Sequence, residues 1–279
     1  IIGADYIGVE MAQIFSSFGS KVTVVERKES AIEVVDSEVS SILIKSLEKS
    51  GIKFIFGKEI TEISGEKVLA GSEEVASAKV ILLTTREADL TALKDVKLEV
   101  SNGNVVANEK MQSSLKNIYV PGDVNGKNLL AHAAFKMGYI AASEIVEGKS
   151  DKYNNNIIPR AIYTYPEIGS VGLTEEEAKK SYDVKVGKFN YSANGRALAH
   201  GDSSGMVKII SDARYGEILG AHIVGPRASE LINEVSVLMQ SEVIVEEAIK
   251  MVFGHPTFSE AIYEAIADVE GVSVHLPKK

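Results

Sequence analysis

The chain opens Ile1-Ile-Gly-Ala-Asp-Tyr-Ile-Gly8, continues with Val9, Met11, Ala12, Ile14, Phe15 and Phe18 at helical spacing, and after Gly19 runs into Lys21-Val-Thr-Val-Val-Glu26. Strand, glycine turn, amphipathic helix and strand make a βαβ unit. In such units that bind a dinucleotide, the first glycine permits the tight turn. The middle one lets the backbone approach the pyrophosphate, and the last lets helix pack on strand. Gly3 and Gly8 hold the outer positions here, and Asp5 holds the middle one. The helix start over Tyr6 and Ile7 offers N–H groups and a positive dipole end to a phosphate. Glu26 stands 18 residues after Gly8, where an acid accepts the ribose 2′-OH and favours NAD over NADP. Arg27 and Lys28 follow it and soften that preference. Asp5 works against the site: a carboxylate about 4 Å from a phosphate charge costs on the order of 4 kcal/mol at an effective dielectric near 20.

Ile1-Ile2 is short beside a usual strand of about five residues, and residue 1 is not Met. The expectation is a piece of a longer protein. The 279 residues carry 30 Lys+Arg against 39 Asp+Glu, a net charge of −9, and that field repels phosphate backbones and anionic lipid surfaces. Nucleic acid and membrane are therefore not expected partners, no apolar run nears the ~20 residues of a membrane span, and a cytoplasmic location is expected. With no cysteine in the chain, thiolate metal sites and a cysteine nucleophile or redox pair contributed by these residues are excluded. No metal site is expected.

Working outward, Val39, Ile42, Leu43 and Leu47 predict a helix over about 37–50, stopped by Gly51, and then a strand Ile52–Phe56. Segments 59–63 and 67–69 read as a small antiparallel meander. Lys79-Val-Ile-Leu-Leu83 reads as a buried strand returning to a parallel sheet, with a domain boundary near residue 88. Asn117–Asp123 reads as a strand ending in Gly122-Asp123, followed by a helix over about 130–146. Polar residues 150–157 read as a linker. Beyond them, strands are expected at 161–165, 185–191, 206–211 and 217–224, and helices at 226–240, 243–252 and 258–269. The fold class is thus an α/β Rossmann-like nucleotide-binding domain plus an α+β interface domain, an antiparallel sheet with covering helices.

Seven stretches carry a resemblance. They are Gly3 to Glu10 with Val22 to Glu26, Ile118-Tyr-Val-Pro-Gly-Asp123, Leu130-Ala-His-Ala-Ala134, Tyr163-Thr-Tyr-Pro-Glu167 with Val171-Gly-Leu-Thr-Glu175, Ala193-Asn-Gly-Arg-Ala197, Gly220-Ala-His-Ile-Val-Gly-Pro226 and His255-Pro-Thr-Phe-Ser-Glu260. In this order they resemble the flavin-dependent pyridine nucleotide–disulfide oxidoreductases, most closely the dihydrolipoamide dehydrogenases. The resemblance implies a nucleotide domain at 1–88, a central segment at 89–152 that helps cradle FAD, and an interface domain at 153–279 that forms a homodimer. It implies FAD and NAD as cofactors. In intact family members the partners are lipoyl-bearing 2-oxo acid dehydrogenase or glycine cleavage components, and the FAD-binding unit and a Cys-x4-Cys lie upstream. It also implies that Asp123 contacts the ribityl chain of the flavin, that the backbone of Leu130, Ala131, His132 and Ala133 lies at the flavin ring, and that Arg86 lies at the nucleotide edge. His255 and Glu260 become an acid–base pair directed at the partner's thiols.

The residues leave a second reading of that pair. An imidazole near pKa 6.5 can take and return a thiol proton while a carboxylate fixes its tautomer, yet Thr257-Phe-Ser-Glu260 also fits a capping box. For Asp123 the alternative is a plain turn with the carboxylate as a cap. His132, His200 and His222 have no acidic partner at a suggestive spacing, and His275 falls in a polar tail. Phe15, Phe18, Met137 and Phe253 read as core or interface, and Glu175–Lys180 as a solvated helix face behind a Thr174 cap. Three positions depart from the family. Asp5 replaces a glycine, Thr84-Thr85-Arg86 replaces Ile-Gly-Arg, and Phe253 replaces a histidine; the first two bear on NAD binding. The expectation is a fragment that does not turn over alone. The alternative is a non-catalytic dimerisation or partner-docking module that has lost cofactor use.

Overall fold

In the computed structural model, which describes residues 1–76, 78–84 and 86–276, two compact units are found. One comprises Ile1–Thr84 with the described residues of Pro159–Lys279, and the other is Thr85–Ile158. The sequence reading kept 1–88 apart from 153–279. They cluster together because Ile162, Ile168, Met206 and Val224 pack in one apolar core with Val9, Val24, Val39 and Leu43.

The first unit begins with α1 (Tyr6–Ser17), β1 (Thr23–Val25), α2 (Ser37–Lys49) and β2 (Lys53–Ile55). β1 and β2 pair in parallel, and Ile2 bridges Val25 on one side and Leu82 on the other, also in parallel. This agrees with the expected βαβ unit. Leu43 and Leu47 are buried on α2 as its spacing required. Phe18 is 83% exposed, because α1 ends at Ser17 and Phe18 falls off its buried stripe as the C-cap. The meander has three strands, β3 (Ile60–Ser64), β4 (Lys67–Ala70) and β5 (Glu73–Ala76), the last unanticipated. Lys79–Leu83 is not a buried strand. Its neighbour contributes only Ile2, which donates to the Ile81 carbonyl and accepts from the Leu83 N–H, both at 2.8 Å, and Leu82 is left exposed.

The second unit holds β6 (Val100–Ser101), β7 (Asn104–Val105) and α3 (Ala131–Glu147). Met111, Ala133, Met137, Ile140, Ala141 and Tyr153 form its main core. The strand expected over 117–123 is only an isolated Gln112–Tyr119 bridge.

The first unit resumes with β8 (Arg160–Ile162), β9 (Glu167–Gly172), α4 (Glu175–Ala178), β10 (Val184–Asn190), α5 (Gly195–His200), β11 (Met206–Asp212), β12 (Ile218–Gly225), α6 (Ala228–Gln240), α7 (Val245–Ala248) and α8 (Glu260–Val269). Five strands form one sheet in the order β10-β11-β12-β9-β8, antiparallel throughout. β9 was missed because Gly169, Ser170 and Gly172 interrupt the apolar pattern. Gly169 is needed for packing: a Cβ there would meet the Ala228 carbonyl oxygen at 2.3 Å, so α6 lies close upon the sheet. α7 is shorter than the helix expected over 243–252. No helix among the described residues is long and apolar enough to cross a membrane.

Candidate functional site

His255 and Glu260 are brought together at the entry to α8. His255 Nδ1 lies 2.7 Å from Glu260 Oε1, with the imidazole 72% and the carboxylate side chain 19% exposed. The second oxygen, Oε2, accepts the Thr257 N–H at 2.8 Å, while the Thr257 hydroxyl donates to the Gly254 carbonyl at 2.7 Å. Half of the expected capping box therefore exists. The other half does not, since α8 starts at Glu260 and no side chain caps it. The two readings of Glu260 are compatible because each takes a different oxygen.

Against the desolvation that raises it, the Thr257 N–H and the His255 ring hold the Glu260 carboxyl below its ordinary value. An ionised carboxylate only accepts, so Nδ1 carries the proton and the exposed ring presents Nε2 as an acceptor. Phe253 rests on the Tyr263 ring, centroids 5.6 Å apart. Thr257 is also gripped from outside, its carbonyl accepting from Asn194 Nδ2 at 3.1 Å.

The nucleotide loop keeps its turn. Gly3 has φ 107°, and a Cβ on Gly8 would meet the Gly3 carbonyl oxygen at 2.0 Å, so α1 begins hard against the loop. Tyr6 and Ile7, half-buried, form its first turn. Asp5 is the exposed N-cap and accepts the Tyr6 N–H at 2.8 Å. Glu26 is engaged with the same loop, Oε2 accepting from the Ala4 N–H at 2.8 Å and Oε1 from the Lys28 N–H at 3.0 Å. A diphosphate at this helix start would face a fixed negative charge already using the first N–H, so the residues present do not fit NAD. Arg86 donates to the Leu129 carbonyl at 3.4 Å, and Thr85 lies outside the described residues.

In the second unit the residues expected near a flavin do gather. The Gly122 N–H points at Met137 Sδ, 3.2 Å away, and a Cβ on Gly122 would lie 3.5 Å from the Ala134 Cβ, so the Gly122-Asp123 turn abuts the first turn of α3. Asp123 is exposed at the start of a single 3-10 turn and makes no capping bond, which removes the plain-cap reading. Leu130 caps α3 without a side-chain bond. Ala131 and His132 are exposed, and Ala133 is buried. An open carboxylate beside an uncapped helix start with small residues fits a polyhydroxyl chain and a ring edge.

A charged cluster that sequence reading missed lies under α2. Lys208 Nζ, its side chain 3% exposed, is 2.8 Å from Asp36, 2.7 Å from Glu175 and 3.1 Å from Glu38. Burial opposes the Lys208 charge, but the carboxylates outweigh it and raise its pKa, while the Asp36 carboxyl, also desolvated, is held low by Lys208. His222, wholly buried, accepts the Asp36 N–H at Nδ1 and lies 3.0 Å from the Leu173 carbonyl at Nε2; burial lowers its pKa. Glu175 therefore does more than line a solvated face. The one available signal was a lysine inside the apolar run Met206–Ile210. His275 is paired after all, Nδ1 lying 2.8 Å from Glu264. No group of three or more His, Cys, Asp or Glu among the described residues could hold a metal ion.

Residues 1–138 match the model of the pyridine nucleotide-disulphide oxidoreductases, and residues 158–266 that of the dimerisation domain of the same enzymes. The chain belongs to the pyridine nucleotide-disulphide oxidoreductase family. Within that family it is 34% identical to a dihydrolipoyl dehydrogenase of Bacillus subtilis, over 99% of this chain and 62% of the relative. It is also 34% identical to the mitochondrial dihydrolipoyl dehydrogenase of Pisum sativum, over 99% and 58%. The chain spans about three-fifths of the length of these curated relatives. Among solved structures, a HOCl-induced flavoprotein disulfide reductase from Escherichia coli in a Cu(II) complex superposes with a TM-score of 0.88 at 26% identity, covering 96% of this chain and 63% of that one. The family's flavoprotein fold and the dihydrolipoyl dehydrogenase-like character expected from the seven stretches both stand.

Proposed function

We propose that this chain supplies the nucleotide and dimerisation portions of a dihydrolipoyl dehydrogenase-like oxidoreductase, with His255 and Glu260 as its acid–base pair. The observation that carries this reading is the 2.7 Å Nδ1–Oε1 contact on an exposed imidazole. Glu260 fixes the tautomer, and His255 Nε2 takes a proton from a dithiol and returns it. The thiols belong to residues outside these 279, since none of these is cysteine. FAD would be held by Asp123 and the Leu130–Ala133 backbone, and in the family it supplies the electron relay between dithiol and NAD. A homodimer through 153–279 and lipoyl-bearing 2-oxo acid dehydrogenase or glycine cleavage components are the partners proposed from the resemblance.

The purified chain, assayed with FAD, NADH and lipoamide while its visible spectrum is recorded, is expected to show no turnover. Full lipoamide reduction by the chain alone would overturn the division of labour. One observation favours a second reading, a non-catalytic dimerising module: Asp5 already takes the helix N–H that a phosphate would use. Asp5→Gly raising NADH affinity from undetectable to measurable would trace that loss to the carboxylate, and an unchanged affinity would count against it.

A further inference from the structure

The stretch Ala193-Asn-Gly-Arg-Ala197 takes no part in the proton transfer above, yet Asn194 is only 3% exposed and its amide works in two directions. Oδ1 accepts the Ala197 N–H at 2.9 Å and caps α5. Nδ2 donates to the Thr257 carbonyl at 3.1 Å, across 63 residues of sequence. Thr257 is the hinge of the acid–base pair. Its N–H holds Glu260 Oε2, and its hydroxyl closes the turn onto Gly254, the residue before His255.

Other restraints act further along. Ser259 donates to Glu234 at 2.7 Å, and the Phe258 ring meets Tyr191 and His200 edge-on. Those contacts fix the entry of α8. Asn194 takes hold of Thr257 itself.

We propose that Asn194 is a positioning residue for the His255–Glu260 pair. Its buried amide anchors Thr257 from the carbonyl side, so that the Thr257 N–H keeps Glu260 turned with Oε1 toward His255 Nδ1. The inference rests on the reading of that pair as the acid–base centre. A chemical pair needs its geometry held to about 0.5 Å by groups that are themselves locked. Asn194 meets that requirement because α5 holds its other end.

The test is the imidazole ¹⁵N spectrum of the chain above the ring's titration, for wild type, Asn194→Asp, Asn194→Ser and Glu260→Gln. Asp and Ser both keep an acceptor for the Ala197 N–H, so α5 stays capped. Asp has no donor for the Thr257 carbonyl, and Ser is too short to reach it. The wild type is expected to show His255 protonated at Nδ1. Both Asn194 variants are expected to show a several-fold rise in the Nε2–H form that free imidazole prefers, with His275 unchanged. Wild-type tautomer ratios in folded Asn194→Asp and Asn194→Ser would overturn the proposal and leave the pair standing. Identical spectra for wild type and Glu260→Gln would overturn the acid–base reading, and the proposal with it. Failure of both Asn194 variants to fold, with α5 still capped, would make the link to Thr257 a contact of the general framework and not one of positioning, which also overturns it.

Discussion

Two regions of the first unit pair a carboxylate with a base, and they treat it in opposite ways. Under α2, Lys208 and Asp36 are sealed, each side chain 3% exposed, and the lysine Nζ is spent on three carboxylates. At the entry to α8, Glu260 is shielded but its imidazole stands in solvent. The separations are nearly equal, 2.8 and 2.7 Å, so distance does not tell a sealed pair from an open one. What separates them is whether a nitrogen is left facing outward. The His275–Glu264 pair is instructive as an intermediate: Glu264 is buried, and beside the imidazole it accepts from the Ser273 hydroxyl and the N–H groups of Val274 and His275. That carboxylate ties down the tail.

The sealed pair is the more sensitive to loss of one partner. Lys208→Met leaves Asp36 as a buried uncompensated charge, and should cost about 3–5 kcal/mol in denaturant unfolding; a loss under about 1 kcal/mol would put the cluster on the same footing as a surface ion pair. Next in size is Glu264→Ala. It should lower stability by about 2 kcal/mol and make residues after Val269 the first site of limited proteolysis, where wild type resists.

His222 sharpens the contrast through pH. Its folded pKa is lowered by burial, so below the ordinary value near 6.5 the unfolded chain binds a proton that the folded chain refuses. Stability is complete above about pH 6.5 and falls as pH drops toward the folded value, with a slope of at most about 1.4 kcal/mol per pH unit. Urea midpoints measured across that range should lose this slope in His222→Gln. Smallest in stability is Glu260→Gln, under about 1 kcal/mol because the pair is open to solvent. Its effect should fall on the His255 tautomer instead.

Much of this was legible. Helical spacing located α1, α2, α3, α6 and α8, since each buries one stripe and the stripe is periodic. The parallel pairing of Ile2 with Val25 followed from the βαβ pattern. β9 was hidden because its glycine serves a neighbouring helix, which no strand propensity records. Lys79–Leu83 misled for the opposite reason: four apolar residues behind Lys79 suit a buried strand, but pairing depends on what its neighbour contributes, and that is Ile2. The His255–Glu260 pairing, five residues apart in sequence, was named from the family resemblance, spacing alone leaving the capping box as the other reading. Asp36 and Lys208, 172 residues apart, share no local signal, and the role of Asn194 toward Thr257 was invisible for the same cause. The Glu260 alternatives needed coordinates, because only the two oxygens taken separately show that the His255 contact and the Thr257 N–H contact are compatible.

β11 and β12 lie inside the five-stranded sheet, and none of their residues is exposed. Amides there can exchange with solvent deuterium only through opening on the largest scale the molecule permits. After every helix end and turn has exchanged, protium should persist from Met206 to Gly225, interrupted at the Arg214–Gly216 turn. That residual label would serve as a clock for the whole unit.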